Sequence, residues 1–135
     1  MIGATFTLNF DASAIGTRVA EAAATGVGRG AVVIQEEAQA TVAVRTGDLR
    51  DSIQAQPPVV SGSVVSAEVT AGTDHAFFVE YGTGRRGAAS AGAGDVSYNE
   101  DWPGMAAQPY MRPALDTRRQ DVFDAIAEEV AGALA

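Results

Sequence analysis

The chain contains no cysteine and no lysine, and only one histidine, His75. Without cysteine there can be no disulfide framework, no thiolate metal cluster and no cysteine nucleophile. Without lysine there is no Schiff-base amine and no ammonium for a phosphate loop. A single imidazole excludes any site built on two histidine ligands. Aromatic residues make up only 7% of the chain, so the core has to be assembled from small side chains packed closely. The unbroken apolar runs are far shorter than the roughly 20 residues a membrane span requires. Met1-Ile2-Gly3-Ala4 has neither the basic stretch nor the apolar stretch of a secretory leader. A soluble protein assembled inside the cell is expected.

What is present is acidic. The 135 residues carry 17 Asp and Glu against 9 basic residues, a net charge of −8. Proteins that hold a nucleic-acid backbone gain affinity from cations that displace counterions, and this balance has the opposite sign. Binding of duplex DNA at physiological salt is not expected. The length suits one domain with a real core, with no linker or internal repeat to divide it.

Thr5 to Phe10 alternates polar and apolar residues with period two, which predicts a short half-buried strand. Asp11 is placed to cap the helix that follows. Ile15, Val19, Ala23, Val27, Ala31, Ile34, Ala38 and Val42 recur in steps of three or four and predict one long amphipathic helix. Gly26, Gly28 and Gly30 weaken its middle, unless a neighbouring backbone packs closely there. Thr46 can cap a short helix that buries Leu49 and Ile53. Pro57-Pro58 ends regular structure, and Val59 to Thr70 reads as a hairpin about Ser61-Gly62-Ser63, with Val65, Ala67 and Val69 on one face. Ala76 to Tyr81 predicts one or two helical turns ended by Gly82. Leu49, Ile53 and Phe77 or Phe78 are expected to form one side of the core.

Gly82 to Gly94 has low complexity and no periodicity, and with the residues up to Trp102 it predicts a long mobile loop. Trp102-Pro103, Gln108-Pro109 and Arg112-Pro113 punctuate an extended segment. Pro113 suits the first turn of a final helix whose stripe is Leu115, Val122, Phe123, Ile126, Val130 and Leu134. The fold class expected is α+β.

Several chemical signatures dissolve on inspection. Gly82-Thr83-Gly84-Arg85-Arg86-Gly87 matches G-x-G-x-x-G, but no βαβ pattern surrounds it. Asp74 and His75 beside a serine suggest a small hydrolase, yet no nucleophile elbow is present and adjacent residues of a strand point opposite ways. Asp48, Asp51 and Asp74 lack the spacing of a cation loop. Glu36-Glu37 and Glu128-Glu129 read as solvated helix faces, and Arg118-Arg119 as partner-facing charge.

Three segments, in order, resemble one family. Val44-Arg45-Thr46-Gly47-Asp48-Leu49-Arg50-Asp51-Ser52-Ile53 resembles its V-R-T-G-x-L-R-x-S-I signature. Asp74-His75-Ala76-Phe77-Phe78-Val79-Glu80-Tyr81-Gly82-Thr83 is similar to its Y-A-x-F-V-E-Y-G-T box, with His75 where the family more often has Tyr. Gln108-Pro109-Tyr110-Met111-Arg112-Pro113-Ala114-Leu115 resembles its Q-P-F-M-R-P-A-L entry into the last helix. The family is the neck or tail-completion proteins of long-tailed bacteriophages, similar to the lambda tail-completion protein. The resemblance implies an antiparallel sheet packed by a long N-terminal helix and a C-terminal helix. It implies a structural virion protein at the head–tail junction, assembled in the host cytoplasm, with no enzymatic activity, no cofactor and no metal. It further implies a ring of copies, a hexamer, touching connector, terminator or tail-tube proteins, with genomic DNA passing through an acidic lumen that does not hold it. A tail terminator capping the tube is the related alternative.

The interface candidates that follow are Arg45, Thr46 and Gly47 in the first segment, Glu80, Tyr81, Gly82 and Thr83 in the second, and Tyr110 and Arg112 in the third. The long loop adds Arg85 and Arg86 as charges for an acidic neighbour, and Tyr98 and Trp102 as apolar anchors.

Overall fold

The N-terminal alternation folds as β1 (Ile2–Asn9), which starts three residues earlier than the pattern predicts because Ile2, Gly3 and Ala4 also find partners. The structure, a computed structural model, describes residues 2–9, 16–90 and 96–134. Asp11 as a cap and Ile15 as the first residue of the helical stripe lie outside the described residues. The long helix, α1 (Thr17–Thr41), is unbroken, and its buried positions follow the predicted stripe from Val19 to Ala38. A short helix, α2 (Asp48–Ser52), leads into β2 (Ile53–Ala55), so Leu49 and Ile53 are both buried although only Leu49 is helical.

The expected hairpin is present as β3 (Val59–Ser61) and β4 (Val64–Ala71). β4 is the centre of a four-stranded antiparallel sheet, with β1 on one side and β2 and β3 sharing the other. Val65, Ala67, Val69 and Ala71 alternate along β4 and are all buried beneath the helices. Directly opposite residues share a sheet face. Leu8, Phe6, Ala4 and Ile2, paired with those four, therefore turn to the same side. The class is α+β, as expected.

The chain ends in α5 (Met111–Leu134), which lies against α1. Arg29 pairs with Glu128 and Glu129 at 3.1 and 2.9 Å, and Glu37 pairs with Arg118 at 3.1 Å. Position rises along α1 as it falls along α5, so the two helices are antiparallel. These exposed or half-buried pairs set register more than stability. They also account for two of the acidic doublets as helix surface. The close approach explains Gly26 and Gly30 of α1. A Cβ on Gly26 would lie 2.6 Å from the Cα of Ile126, and one on Gly30 would lie 2.8 Å from Cγ1 of Val122.

That proximity also corrects the predicted stripe of α5. Met111, Ala114, Val122 and Ala125 are buried and Leu115, Ile126 and Val130 pack beside them, but Phe123 and Leu134 are exposed. Where backbones touch, alanine fits the seam and a bulky ring is left outside it.

Two further expectations fail. Phe77 and Phe78 do not enter the core. They lie on the outer side of α3 (Ala76–Tyr81), whose buried residues are Ala76 and Glu80, four apart. The place expected for a phenylalanine is filled by Tyr110, fully buried, from the segment before α5. Nor is Gly82 to Trp102 simply a loop. Residues Gly84–Ala89 form a helix, α4, with Gly84 and Gly87 buried. Its first N–H groups are occupied: those of Arg85 and Arg86 donate to the carbonyls of Trp102 and Pro103 at 2.7 and 3.0 Å. Small residues here allow close backbone packing, and the satisfied amides hold the helix in place. Residues 91–95 of the predicted loop lie outside the described residues.

Among the described residues no helix is long and apolar enough to cross a membrane, and no group of three metal-ligating side chains comes together.

Candidate functional site

The three segments singled out in the sequence converge on one groove. It has a volume of about 540 Å3 and is lined by residues 43–50, His75, Phe78, Val79, Met105 and Gln108. The turn before α2 forms one wall. Gly47 makes this turn possible: its φ of 91° is a left-handed conformation that side-chain-bearing residues rarely adopt. Thr46 Oγ1 accepts the Asp48 N–H at 3.3 Å, so Thr46 does contribute to the start of the helix, from one position further out than a standard cap. Arg45 and Thr46 remain exposed on the lip, and Gly47 is buried beneath it.

α3 forms the opposite wall, and a buried carboxylate fixes its position. Glu80, 4% exposed, accepts three backbone N–H groups: Tyr110 and Met111 on Oε2 at 2.8 and 3.0 Å, and Arg112 on Oε1 at 3.1 Å. These amides open α5, and the residue before that helix, Tyr110, has no capping side chain of its own. A helix start exposes unpaired N–H groups and a partial positive charge, so an anion there is strongly favoured. Glu80 thereby caps a helix thirty residues away and locks the second segment to the third. The Tyr110 hydroxyl donates to the Ala76 carbonyl at 3.0 Å, and the Gln108 N–H donates to the Val79 carbonyl at 2.8 Å.

Burial, followed by the negative charge of Glu80, pushes the Tyr110 phenol well above its usual range. Below about pH 9 the phenol keeps its proton in folded and unfolded chains alike. Above that, the unfolded chain releases the proton and the folded chain retains it, so stability falls as pH rises. Tyr110→Phe should be less stable than wild type by about 1 kcal/mol at pH 8, through loss of its hydrogen bond. The gap should narrow in urea titrations between pH 10 and 11.5. A gap that stays constant over this interval would show that Tyr110 titrates normally.

The remaining candidates divide by exposure. Gly82 is buried at the end of α3. Thr83 forms an antiparallel bridge with Met105: its N–H donates to the Met105 carbonyl at 2.8 Å, and its carbonyl and hydroxyl accept the Met105 N–H. Tyr98, expected as an outward anchor, instead donates its hydroxyl to the Tyr81 carbonyl at 2.9 Å, and its ring lies over Gly87. Tyr81 is half-buried, and its ring contacts Phe77 at a centroid distance of 4.7 Å. Trp102, Arg85, Arg86 and Arg112 are exposed. Glu80, Gly82 and Tyr110 are taken up inside the fold, which leaves the lip residues, Trp102 and the arginines as the accessible members.

Sequence reasoning missed the apolar rim. Val44 is 56% exposed, Phe78 49% and Met105 37%, all lining the one groove. The missed signal lay in Ala76 and Glu80. Once those two face inward at a spacing of four, Phe77 and Phe78 must face out. Asp74 and His75 sit exposed in the turn before α3, and no hydrogen bond among the described residues links them to each other or to a serine. The G-x-G-x-x-G segment enters α4 from a helix, beside an antiparallel sheet, so the dinucleotide geometry is absent.

A family profile described as "Bacteriophage HK97-gp10, putative tail-component" matches residues 6–82. Those residues run from within β1 to the end of α3 and include the first of the three segments and all of the second but Thr83. Neither the curated proteins nor the solved structures yield a significant match.

Proposed function

From the chain's membership of the HK97-gp10-like family of bacteriophage tail components, to which it belongs, we propose that it is a ring-forming neck or tail-completion subunit. In this reading residues 1–135 form one domain, copies of which close into a ring between the DNA-filled head and the tail. The ring occupies the head–tail junction of the virion and works as a scaffold, without catalysis. Genomic DNA passes through it without being held, since a chain of net charge −8 repels phosphate.

The observation that carries this reading is the groove. Its rim exposes Val44, Phe78 and Met105 together, with Phe77 edge-on to Phe78 at a centroid distance of 6.1 Å. Clustered large apolar side chains on a protein surface mark a place where another protein docks. Trp102 and the arginine pair of α4 supply the anchors and charges found in interface cores. Glu80 and Tyr110 serve this surface from behind by holding its walls in one geometry.

Phe78→Asp puts a charge into the groove at a position already half in water. The variant is expected to melt within about 2 °C of wild type, because exposed sites contribute little to stability. In a phage complemented with it, unjoined heads and tails should accumulate and infectious titre should fall at least 100-fold. Normal titre with a stably folded variant would rule the groove out as the joining surface.

A further inference from the structure

We infer that copies of this chain join edge to edge through their sheets, with β1 of one copy pairing with β3 of the next. The inference rests on the ring reading above and specifies its subunit contact. β1 is an edge strand eight residues long, bonded to β4 on one side only. Among the described residues no hydrogen bond reaches the backbone on its other side. Proteins usually guard such an edge with charge, proline or a bulge, because it will otherwise pair with another strand. Ile2 to Asn9 contains neither a charged residue nor a proline.

The opposite side of the sheet is treated differently in its two halves. At β2 the edge is closed: the Gln35 side chain of α1 accepts the Ala55 N–H at 2.6 Å, and that of Gln39 donates to the Ile53 carbonyl at 3.1 Å. At β3 no described side chain does this, and Val59 and Val60 are 60% and 50% exposed. Among the described residues the sheet thus has two open edges of unlike sequence, β1 and β3. Joining unlike surfaces head to tail generates a ring when the rotation closes, whereas β1 on β1 would stop at a dimer.

The faces also match. Val60 stands opposite Val65, so it belongs to the helix-covered side of the sheet, as Phe6 and Leu8 do. Beside β1 on that side, an apolar groove of about 600 Å3 opens between Phe6 and Leu8 and the helix residues Val19, Val122, Phe123 and Ile126. A β3 strand continuing the sheet past β1 would lower Val60 into this groove and cover Phe123, which is otherwise 56% exposed. In a chain of net charge −8, two uncharged strands are where copies can approach with least repulsion.

The absence of cysteine makes the test direct. Thr7 and Val59 both stand opposite Ser66, on the sheet face away from the helices, and by alternation Thr5 and Ser61 lie on that same face. β1 and β3 are both antiparallel to β4, so a continuing sheet with matched faces pairs them in parallel. Thr7→Cys and Val59→Cys would be made singly and together, and Thr5→Cys with Ser61→Cys would cover a different register of that parallel pairing. Under mild oxidation the double variants should give a ladder of covalent species above the dimer, and each single variant should give little. Val60→Asp should convert assembled protein to monomer by sedimentation, with an unchanged circular-dichroism spectrum. Dimers from Thr7→Cys alone would overturn the inference in favour of a two-fold β1 contact. Rings that sediment normally, yet give no ladder in either register and resist Val60→Asp, would overturn the edge contact and leave the ring reading intact. Protein that remains monomeric at every concentration, and in the virion junction, would overturn both.

Discussion

Glu80→Ala is expected to lower the stability of the folded chain by about 4 kcal/mol, enough to leave much of it unfolded at 37 °C. A hydrogen bond to a charged group contributes about 1.5–3 kcal/mol, and a buried donor left without a partner carries a further penalty. Glu80 receives three such bonds at the start of α5, at distances of 2.8 to 3.1 Å. Water entering the vacated space would offset part of the loss, so the total falls short of three full bonds. Glu80→Gln keeps one acceptor oxygen and should lose about half as much. Equilibrium urea unfolding measures both. Fraying should begin at the N-terminal end of α5, so amide exchange at residues 110–112 should accelerate in Glu80→Gln before the rest of the helix. An Ala variant as stable as wild type would show that the α5 cap does not hold the fold.

The next largest effect is expected at Gly26, and its sign is the informative part. Inside a helix, Gly→Ala ordinarily stabilises by about 1 kcal/mol. At Gly26 the new methyl would meet the Ile126 Cα at 2.6 Å and the Ala125 carbonyl oxygen at 3.2 Å, and backbone cannot step aside as a flexible side chain can. Gly26→Ala should therefore destabilise by about 2 kcal/mol, in the range typical of overpacking. Gly28, two residues along the same helix, provides the control: a Cβ there meets only the Pro58 ring, at 3.4 Å. Gly28→Ala should raise the melting temperature by several degrees. Thermal melts of the two variants should move in opposite directions. If both rise, α1 and α5 do not approach as closely as described.

These two sites also mark where the sequence was readable and where it was not. The stripe from Val19 to Ala38 and the alternation of Val65, Ala67 and Val69 are local periodicities, and they are enough to define the long helix and the central strand. The glycines of α1 can equally mean a break or a close neighbour, and for Gly26 and Gly30 only the positions of Ile126 and Val122, some ninety to one hundred residues later, decide between them. The role of Glu80 was out of reach of pattern reading for the same reason, since no spacing rule connects it with Met111. A hint did exist: the last helix begins after Pro109-Tyr110 with no Ser, Thr, Asp or Asn to cap it, so its amides needed a remote acceptor. Bulk alone does not place Phe77 and Phe78 inside, because here the smaller Ala76 fits the tight inner seam. The glycines of α4 look like disorder in composition and prove to be packing contacts. Replacing residues 84 to 97 with a flexible link should accordingly cost stability, through loss of the Gly87–Tyr98 contact and the amide bonds to Trp102 and Pro103.

The groove was only partly legible. Its walls were marked by the three segments, but its apolar rim emerged only when α3 was seen to turn its phenylalanines outward. Whether that rim is the working surface is decided most directly by a cryo-electron microscopy reconstruction of the head–tail junction, at side-chain resolution, from the phage that carries this chain. The expected result is a ring of this chain between head and tail, with Val44, Phe78 and Met105 of each copy covered by a neighbouring protein. A junction that lacks the chain, or a ring whose groove faces open solvent, would contradict the account.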